Sequence, residues 1–217
     1  MKDGYRFMGF LYESIGSLYS FGRIPKCKVS MLAYLKPDDR VLVGGVGHGT
    51  EAVEASRLGA DVTAVDLSAT MLKHMQKKID RSGLENPIRL INENILNVAD
   101  EDGYDMVIAN FFLNVFSEEM MLEIFNHLTS LVKPGGCMVI GDFTLPSTGG
   151  RIFKIFQNVY WYIAATFFWL TADNAIHRVY DYPGMLKSKK FDIREIKYFS
   201  ILGIKSYWSI LGRKSKV

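Results

Sequence analysis

The sequence predicts an α/β fold: a doubly wound, mostly parallel sheet of seven strands with helices on both faces. Short runs of β-branched and aliphatic residues alternate with helix-forming segments along the chain. This alternation is typical of parallel βαβ units whose strands are buried on both faces, and right-handed crossovers between them give a doubly wound sheet. The last two strand-like runs are joined by a turn containing Gly203. They predict an antiparallel hairpin at the C-terminal edge of the sheet.

The boundaries of these elements follow from capping and turn residues. The predicted strands are Arg40–Gly44, Asp61–Asp66, Ile88–Ile91, Tyr104–Ala109, Cys137–Gly141, Phe191–Phe199 and Lys205–Lys214. The predicted helices are Pro25–Leu35, Thr50–Leu58, a segment from Ser68 to Ser82 and a segment from Ser117 to Lys133. Ser68 and Ser117 are residue types that cap helix N-termini, and glycines that can cap C-termini follow the second and third helices.

Length and composition predict one globular domain. A chain of 217 residues, 48% of them hydrophobic, can bury a full core. We therefore interpret residues 1–217 as a single domain, with a helical N-terminal arm over residues 1–36 and a helical lid inserted at residues 143–190.

Charge and cysteine content narrow the function classes. A net charge of +3 is too weak to indicate a nucleic-acid partner. Cys27 and Cys137 are too few for a disulfide framework or a metal cluster, and Cys137 is expected to be buried. Lys2, Asp3 and Arg6 interrupt the first ten residues, so no signal peptide is predicted and a cytoplasmic location is expected.

The stretch VLVGGVGHGT, Val41 to Thr50, marks a ligand site between the first strand and its helix. In open α/β sheets, ligands bind beyond the carboxyl ends of the strands. The glycine spacing is G-x-G-x-G, whereas the dinucleotide fingerprint requires G-x-G-x-x-G. A phosphate-binding P-loop requires a Gly-Lys-Ser/Thr ending, and no lysine occurs between Lys36 and Lys73. Pyrophosphate and triphosphate ligands are therefore disfavoured.

Asp66 ends the second strand about 21 positions after Gly45. An acid at this place can accept hydrogen bonds from both hydroxyls of a ribose. Asp66 could instead simply start the following helix as a cap. With the glycine loop, it favours a nucleoside whose far end is not a pyrophosphate.

Four ordered motifs resemble those of the class I S-adenosylmethionine-dependent methyltransferases. VLVGGVGHG is similar to the first motif of that family, and VTAVDLSATML is similar to its acidic second strand and following helix. YDMVIANFFLNVF and LVKPGGCMVIGD resemble the fourth strand and the entry to the fifth. The resemblance covers roughly Arg40 to Asp142 and looks closest to members that methylate small molecules, lipids or quinones. It implies S-adenosylmethionine as the cofactor.

The resemblance also implies which residues bind the cofactor. They are Gly45, Gly47, Gly49, Asp66, Leu67, Met71, Asn94, Ile95 and Asn110. The glycines would lie beneath the methionine part of the cofactor, which Asn110 would also face, and the aspartate would bind the ribose hydroxyls. Leu67 and Met71 would contact adenine. Asn94, followed by Ile95, replaces the usual acid, and its carbonyl oxygen can accept a hydrogen bond from the exocyclic amine.

One position departs from the family pattern. Val43 stands where the first motif usually carries an acid that supports the charged end of the cofactor. Glu51 or a residue of the N-terminal arm could compensate. Alternatively, the chain is a non-catalytic S-adenosylmethionine-binding module of the same fold. A nicotinamide oxidoreductase is a third reading, and the glycine spacing disfavours it.

Methyl transfer from a sulfonium needs neither a metal nor a nucleophilic side chain, because the enzyme has mainly to align the acceptor and exclude water. Oxygen or carbon acceptors can require a general base. The candidates beyond the fifth strand are Asp142, His177 and Tyr180.

The run from Arg151 to Leu170 is rich in aromatic residues and nearly free of charge after Lys154. Arg151, Lys154, Gln157 and Asn158 argue against a transmembrane span. A core helix is one reading. A lid over a greasy pocket, or a segment resting on a membrane surface, is the other. The expected partner is a hydrophobic small-molecule acceptor, with peripheral membrane contact aided by basic residues near the C-terminus.

Overall fold

The computed structural model describes residues 20–47, 49–100, 102–145, 179–201 and 203–216. Its strands are β1 (Arg40–Gly44), β2 (Asp61–Asp66), β3 (Arg89–Asn92), β4 (Tyr104–Asn110), β5 (Val132–Phe143), β6 (Phe191–Ile201) and β7 (Ile204–Lys214). Its helices are α1 (Arg23–Val29), α2 (Thr50–Arg57), α3 (Ala69–Ser82), α4 (Glu118–Ser130) and α5 (Tyr182–Ser188). Short 3₁₀ turns lie at Leu32–Tyr34, Ile95–Asn97 and Leu113–Val115.

The described strands form one sheet in the order β3-β2-β1-β4-β5-β7-β6. Strands β1 to β5 run parallel to one another, and β7 is antiparallel to both β5 and β6. The predicted doubly wound sheet with an antiparallel C-terminal hairpin is therefore confirmed. Because the chain runs outward from β1 to β3 and then returns to β4, the strand order reverses between β1 and β4. A crevice for a ligand is expected at the carboxyl ends of these two strands.

Several predicted boundaries differ from the observed ones, and two differ most. The first predicted helix, Pro25–Leu35, ends at Val29, where the Ser30 hydroxyl donates to the Cys27 carbonyl at 2.8 Å and competes with the helical pattern. Strand β5 begins before its predicted start at Cys137, because Val132 already pairs with Tyr104. The ladder then shifts register, since the Pro-Gly-Gly sequence at 134–136 interrupts regular pairing, and resumes at Cys137.

Apolar side chains cover both faces of the sheet. Val41, Val43 and Met75 belong to one buried cluster, and Phe125 and Tyr182 belong to the cluster on the other face. Cys27 and Cys137 are free thiols, and the predicted burial of Cys137 is confirmed. The two clusters hold the strand ends at the crevice in fixed positions.

The predicted arm and lid are only partly described. Of the predicted arm, residues 20–36 are described, and they contain α1. Of the predicted lid, residues 143–145 and 179–190 are described, and they contain α5. The aromatic run at 151–170 lies outside the described residues. The arm, the lid and the single-domain organisation therefore stay predictions. In the described ranges, no helix has both the length and the apolar character needed to cross a membrane.

An ion pair at the amino ends of β1 and β4 should make stability sensitive to acid. The Arg40 guanidinium donates to Asp100, and this hydrogen bond lowers the pKa of Asp100 below its usual value. A carboxyl with a lowered folded-state pKa stabilises the fold above its unfolded pKa of about 3.9, and this contribution is lost as the pH falls through the folded value. Urea unfolding of the parent and of Asp100→Asn between about pH 3 and pH 5 should show a flatter pH dependence in the variant, by up to about one proton. Asp192→Asn, at an exposed ion pair, should leave the slope unchanged; an equal flattening there would refute the assignment.

Candidate functional site

The glycine loop between β1 and α2 forms one wall of the crevice. Gly45, Gly47 and Gly49 have φ values of +73°, +49° and +65°. Glycine adopts this left-handed region at little cost, whereas a side chain there is strained. His48, between Gly47 and Gly49, lies outside the described residues. The loop conformation therefore requires glycine at these three positions.

Each glycine is also approached by a side chain of the protein itself. A Cβ on Gly45 would collide with the ring of Phe112, and one on Gly49 would collide with the thioether of Met75. A Cβ on Gly47 would lie 3.4 Å from Nζ of Lys28. The protein's own packing therefore accounts for at least part of the need for glycine at these positions.

Asp66 connects the glycine loop to β2. Its Oδ2 accepts from the backbone N–H of Val46 at 2.9 Å, and its Oδ1 accepts from the N–H of Ser68 at 2.8 Å. Ser68 in turn caps α3 by accepting from the N–H of Met71 at 3.3 Å, so the predicted cap is confirmed. Asp66 therefore organises the turn that joins β2 to the glycine loop.

The predicted adenine contacts lie together on the β2 and β3 side of the crevice. Leu67 is 51% exposed, whereas Met71 and Ile95 are buried. The side-chain oxygen of Asn94 accepts from the N–H of Leu96 at 3.1 Å and caps the 3₁₀ turn there. Its second lone pair can still accept a hydrogen bond, so the predicted contact with an amine stays a prediction. Leu67 therefore presents an exposed apolar side chain immediately after β2.

Asn92 was not predicted and supports the same turn. Its side-chain amide donates to the carbonyl oxygens of Asp66 and Leu67, at 3.0 Å each. These two bonds link β3 to the backbone that follows β2 and leave the carboxylate of Asp66 untouched.

Asn110, at the end of β4, holds α1 over the crevice. Its Nδ2 donates to the Lys28 carbonyl at 2.9 Å, while its buried Oδ1 accepts no hydrogen bond from the described residues. Lys28 itself forms an ion pair with Glu51, with 3.2 Å between Nζ and Oε1. The sequence pattern did not single out Lys28, because nothing in a lone lysine of a short helix indicates a partner in another helix.

Val43 lies in the buried core cluster beneath the loop, among apolar side chains. Glu51, one of the residues expected to compensate for the missing motif acid, lies in the first turn of α2. Glu51 is fully buried, which is rare for a glutamate unless it is paired, and its partner is Lys28.

Asp142 lies at the carboxyl end of β5 and is held by three donors. Its Oδ1 accepts from Nδ2 of Asn114 at 2.8 Å and from the N–H of Phe143 at 2.7 Å, and its Oδ2 accepts from the hydroxyl of Tyr182 at 2.8 Å. Burial, and then the neighbouring carboxylate, raise the pKa of Tyr182 well above its usual value. Tyr182 therefore stays protonated and acts as a donor to Asp142.

Of the other two candidate bases, only Tyr180 lies within the described residues. Tyr180 is buried, with its ring 6.1 Å from that of Tyr182, so it lies near Asp142. His177 lies outside the described residues. Asn114 and Tyr182 were missed, because their contacts with Asp142 join positions far apart in the sequence.

Three aromatic rings pack together at the carboxyl ends of β4 and β5. The ring centroid of Phe111 is 6.2 Å from that of Phe143 and 5.7 Å from that of Tyr207, and the latter two are 5.2 Å apart. Phe111 has a φ of +53°, which is uncommon for a bulky residue and costs about 1–3 kcal/mol. Backbone strain of this kind concentrates at functional sites. We call Phe111, Phe143 and Tyr207 the aromatic cluster.

Matches to known sequences fall on the part of the chain that builds this crevice. A family model described as a methyltransferase domain matches residues 41–136. The ribosomal protein L11 methyltransferase of Staphylococcus carnosus is 30% identical over 103 residues, which cover 47% of this chain and 32% of that protein. The carboxy-S-adenosyl-L-methionine synthase of Aeromonas salmonicida is 26% identical over 120 residues, which cover 52% of this chain and 48% of that protein. The chain thus spans about half or less of the length of these relatives.

Solved structures match nearly the whole chain. The magnesium protoporphyrin IX methyltransferase of Synechocystis with bound S-adenosylhomocysteine has a TM-score of 0.75 at 19% identity, covering 99% of this chain and 97% of that one. The N-methyltransferase NodS of Bradyrhizobium japonicum has a TM-score of 0.63 at 11% identity, covering 93% of this chain and 99% of that one. At these identities the likeness concerns the fold. Residues 41–136 thus match a methyltransferase domain, and the described part of the chain shares the fold of these solved methyltransferases.

Proposed function

We propose that the protein transfers a methyl group from S-adenosylmethionine to a hydrophobic or aromatic small molecule. The observation that carries this proposal is the aromatic cluster at the carboxyl ends of β4 and β5, in which Phe111 and Phe143 are partly exposed and Tyr207 is buried beside them. An acceptor enters a doubly wound fold from this end. Aromatic side chains offer large apolar contact areas with specific ring geometry, which suit a flat or apolar acceptor.

The described residues fit the proposed cofactor. Asp66 has a carboxylate at the strand end for the ribose, and Leu67 has an exposed apolar side chain for the adenine. Met71 and Ile95 would line the adenine side, and Asn94 would meet its amine. The cofactor would supply an electrophilic methyl group on its sulfonium sulfur. The protein would have to orient the acceptor and keep water out.

Asp142 is the best-supported candidate for accepting a proton from the acceptor. Its three donors hold the carboxylate in one orientation, as a positioned base requires. The neighbour in Synechocystis is named for a large macrocyclic substrate, which is compatible with an aromatic acceptor here.

Two observations favour a second candidate, a non-catalytic S-adenosylmethionine-binding module. Val43 replaces the usual motif acid and is buried in the core. The ring of Phe112 lies against Gly45 and Gly44 in the wall of the crevice. Weak turnover with intact cofactor binding would support this second candidate.

The proposed cofactor predicts an order of affinities. S-adenosylmethionine and S-adenosylhomocysteine should bind, and NAD should bind much more weakly, because the loop lacks the third glycine of the dinucleotide fingerprint. Isothermal titration calorimetry with all three ligands measures this order. Tighter binding of NAD would contradict the assignment.

The acceptor class is tested with labelled cofactor. Purified protein is incubated with S-adenosylmethionine labelled in the methyl group and with two pools of small molecules, one extracted into organic solvent and one water-soluble. Label transferred into the organic pool supports a hydrophobic acceptor. Transfer only into the water-soluble pool overturns the acceptor class while leaving the cofactor assignment intact.

A further inference from the structure

A buried ion pair lies across the glycine loop. Lys28 comes from α1 and Glu51 from the first turn of α2, and their Nζ and Oε1 atoms are 3.2 Å apart. The side chains are 16% and 1% exposed. An ion pair this deeply buried contributes little net stability, because desolvation offsets most of the attraction. Its position beside the ligand loop therefore suggests a functional reason for it.

The ion pair has capacity for a further ligand. Oε1 of Glu51 accepts no hydrogen bond of acceptable geometry from the described residues. Nζ of Lys28 lies 3.4 Å from the place where a Cβ on Gly47 would be, so the ammonium is positioned against the loop backbone. Asn110 fixes the backbone of Lys28 there by donating to its carbonyl.

We infer that Lys28 and Glu51 bind the amino-acid end of the cofactor, with Lys28 contacting its carboxylate and Glu51 contacting its ammonium group. This inference rests on the proposed function. A zwitterion inserted between the two side chains would leave every buried charge beside an opposite one, which avoids the cost of an unpaired charge. Glu51 would thereby supply, from α2, the carboxylate that Val43 lacks at the end of β1. The two residues would set specificity for ligands that carry an amino-acid group.

The competing explanation is purely structural. An acid in the first turn of a helix interacts favourably with the helix dipole, and Lys28 could simply neutralise it. This explanation predicts that changes in the pair alter stability but do not alter the preference between ligands with and without an amino-acid end.

The test compares S-adenosylhomocysteine with 5′-methylthioadenosine, which has the same adenosine and thioether but no amino-acid end. Calorimetry on Lys28→Met and Glu51→Gln should show the affinity for S-adenosylhomocysteine falling about tenfold or more, since each variant loses a charge-assisted hydrogen bond. The affinity for 5′-methylthioadenosine should stay within about twofold of the parent value. Lys26→Met, an exposed lysine on the same helix, should change neither affinity.

A ligand lacking only the carboxylate, decarboxylated S-adenosylhomocysteine, separates the two roles. The parent should bind it more weakly than S-adenosylhomocysteine, whereas Lys28→Met should bind the two equally. If either single variant unfolds at the assay temperature, the double variant Lys28→Glu with Glu51→Lys is used in its place, because it keeps an ion pair of reversed direction. That variant should lose S-adenosylhomocysteine and retain 5′-methylthioadenosine.

The outcomes distinguish failure of this inference from failure of the proposed function. If the parent binds S-adenosylhomocysteine and the variants bind it equally well, or lose both ligands in parallel, the amino-acid site is overturned and the cofactor assignment stands. If the parent binds neither ligand, the cofactor assignment fails, and this inference falls with it.

Discussion

Replacing Asp66 with asparagine should weaken binding of S-adenosylhomocysteine by about tenfold or more, because a charge-assisted hydrogen bond contributes about 1.5–3 kcal/mol. The asparagine has nearly the same shape but carries one amide nitrogen in place of an oxygen. In the parent, both oxygens face backbone donors, from Val46 and Ser68. The amide nitrogen would therefore oppose one of them and remove an acceptor for the ribose. Calorimetry measures the affinity, and thermal unfolding measures the accompanying loss of stability.

Asn92→Ala is the matched control for this change. It removes the two bonds to the carbonyl oxygens of Asp66 and Leu67 but leaves the carboxylate in place. Its affinity for S-adenosylhomocysteine should therefore change by less than about threefold. If Asp66→Asn melts earlier yet binds the ligand as the parent does, Asp66 serves only to organise the turn, as the helix-cap interpretation proposed.

Much of the fold could be predicted because local patterns and the global fold agree. β1 and β2 begin and end at the predicted residues, Arg40–Gly44 and Asp61–Asp66, since runs of buried aliphatic residues between turn signals have few other structures available. The boundary errors lie where side chains compete with the backbone, at Ser30, or where proline and glycine interrupt a ladder before Cys137.

The cofactor side of the site was more predictable than the acceptor side. The position of Asp66 at the end of β2 could be predicted, because a local run of buried residues sets where that strand ends. The partners of Asp142 could not, because Asn114 and Tyr182 lie 28 and 40 residues from it and meet it only in the folded chain. The ion pair of Lys28 with Glu51 could not be predicted for the same reason, because the two residues meet only when α1 packs against α2.

Asp142→Asn should have a larger effect, lowering kcat by about 100-fold or more, because a positioned general base contributes about 10²–10⁴-fold to the rate. This prediction rests on the proposed function with an acceptor that gives up a proton. Cofactor affinity should stay close to that of the parent, since Asp142 lies at the end of β5 and not on the glycine loop. Single-turnover kinetics with labelled cofactor measure the rate.

Tyr182→Phe is the variant that separates a base from a structural carboxylate. It removes one donor to Oδ2 of Asp142, while Asn114 and the N–H of Phe143 still hold Oδ1. If Asp142 accepts the proton, Tyr182→Phe should cost less than about tenfold in kcat, because the carboxylate remains. If Asp142 only braces Tyr182, both variants should lower the melting temperature and affect kcat equally. That result would remove Asp142 from the chemistry and leave the proton acceptor to be sought among the remaining candidates.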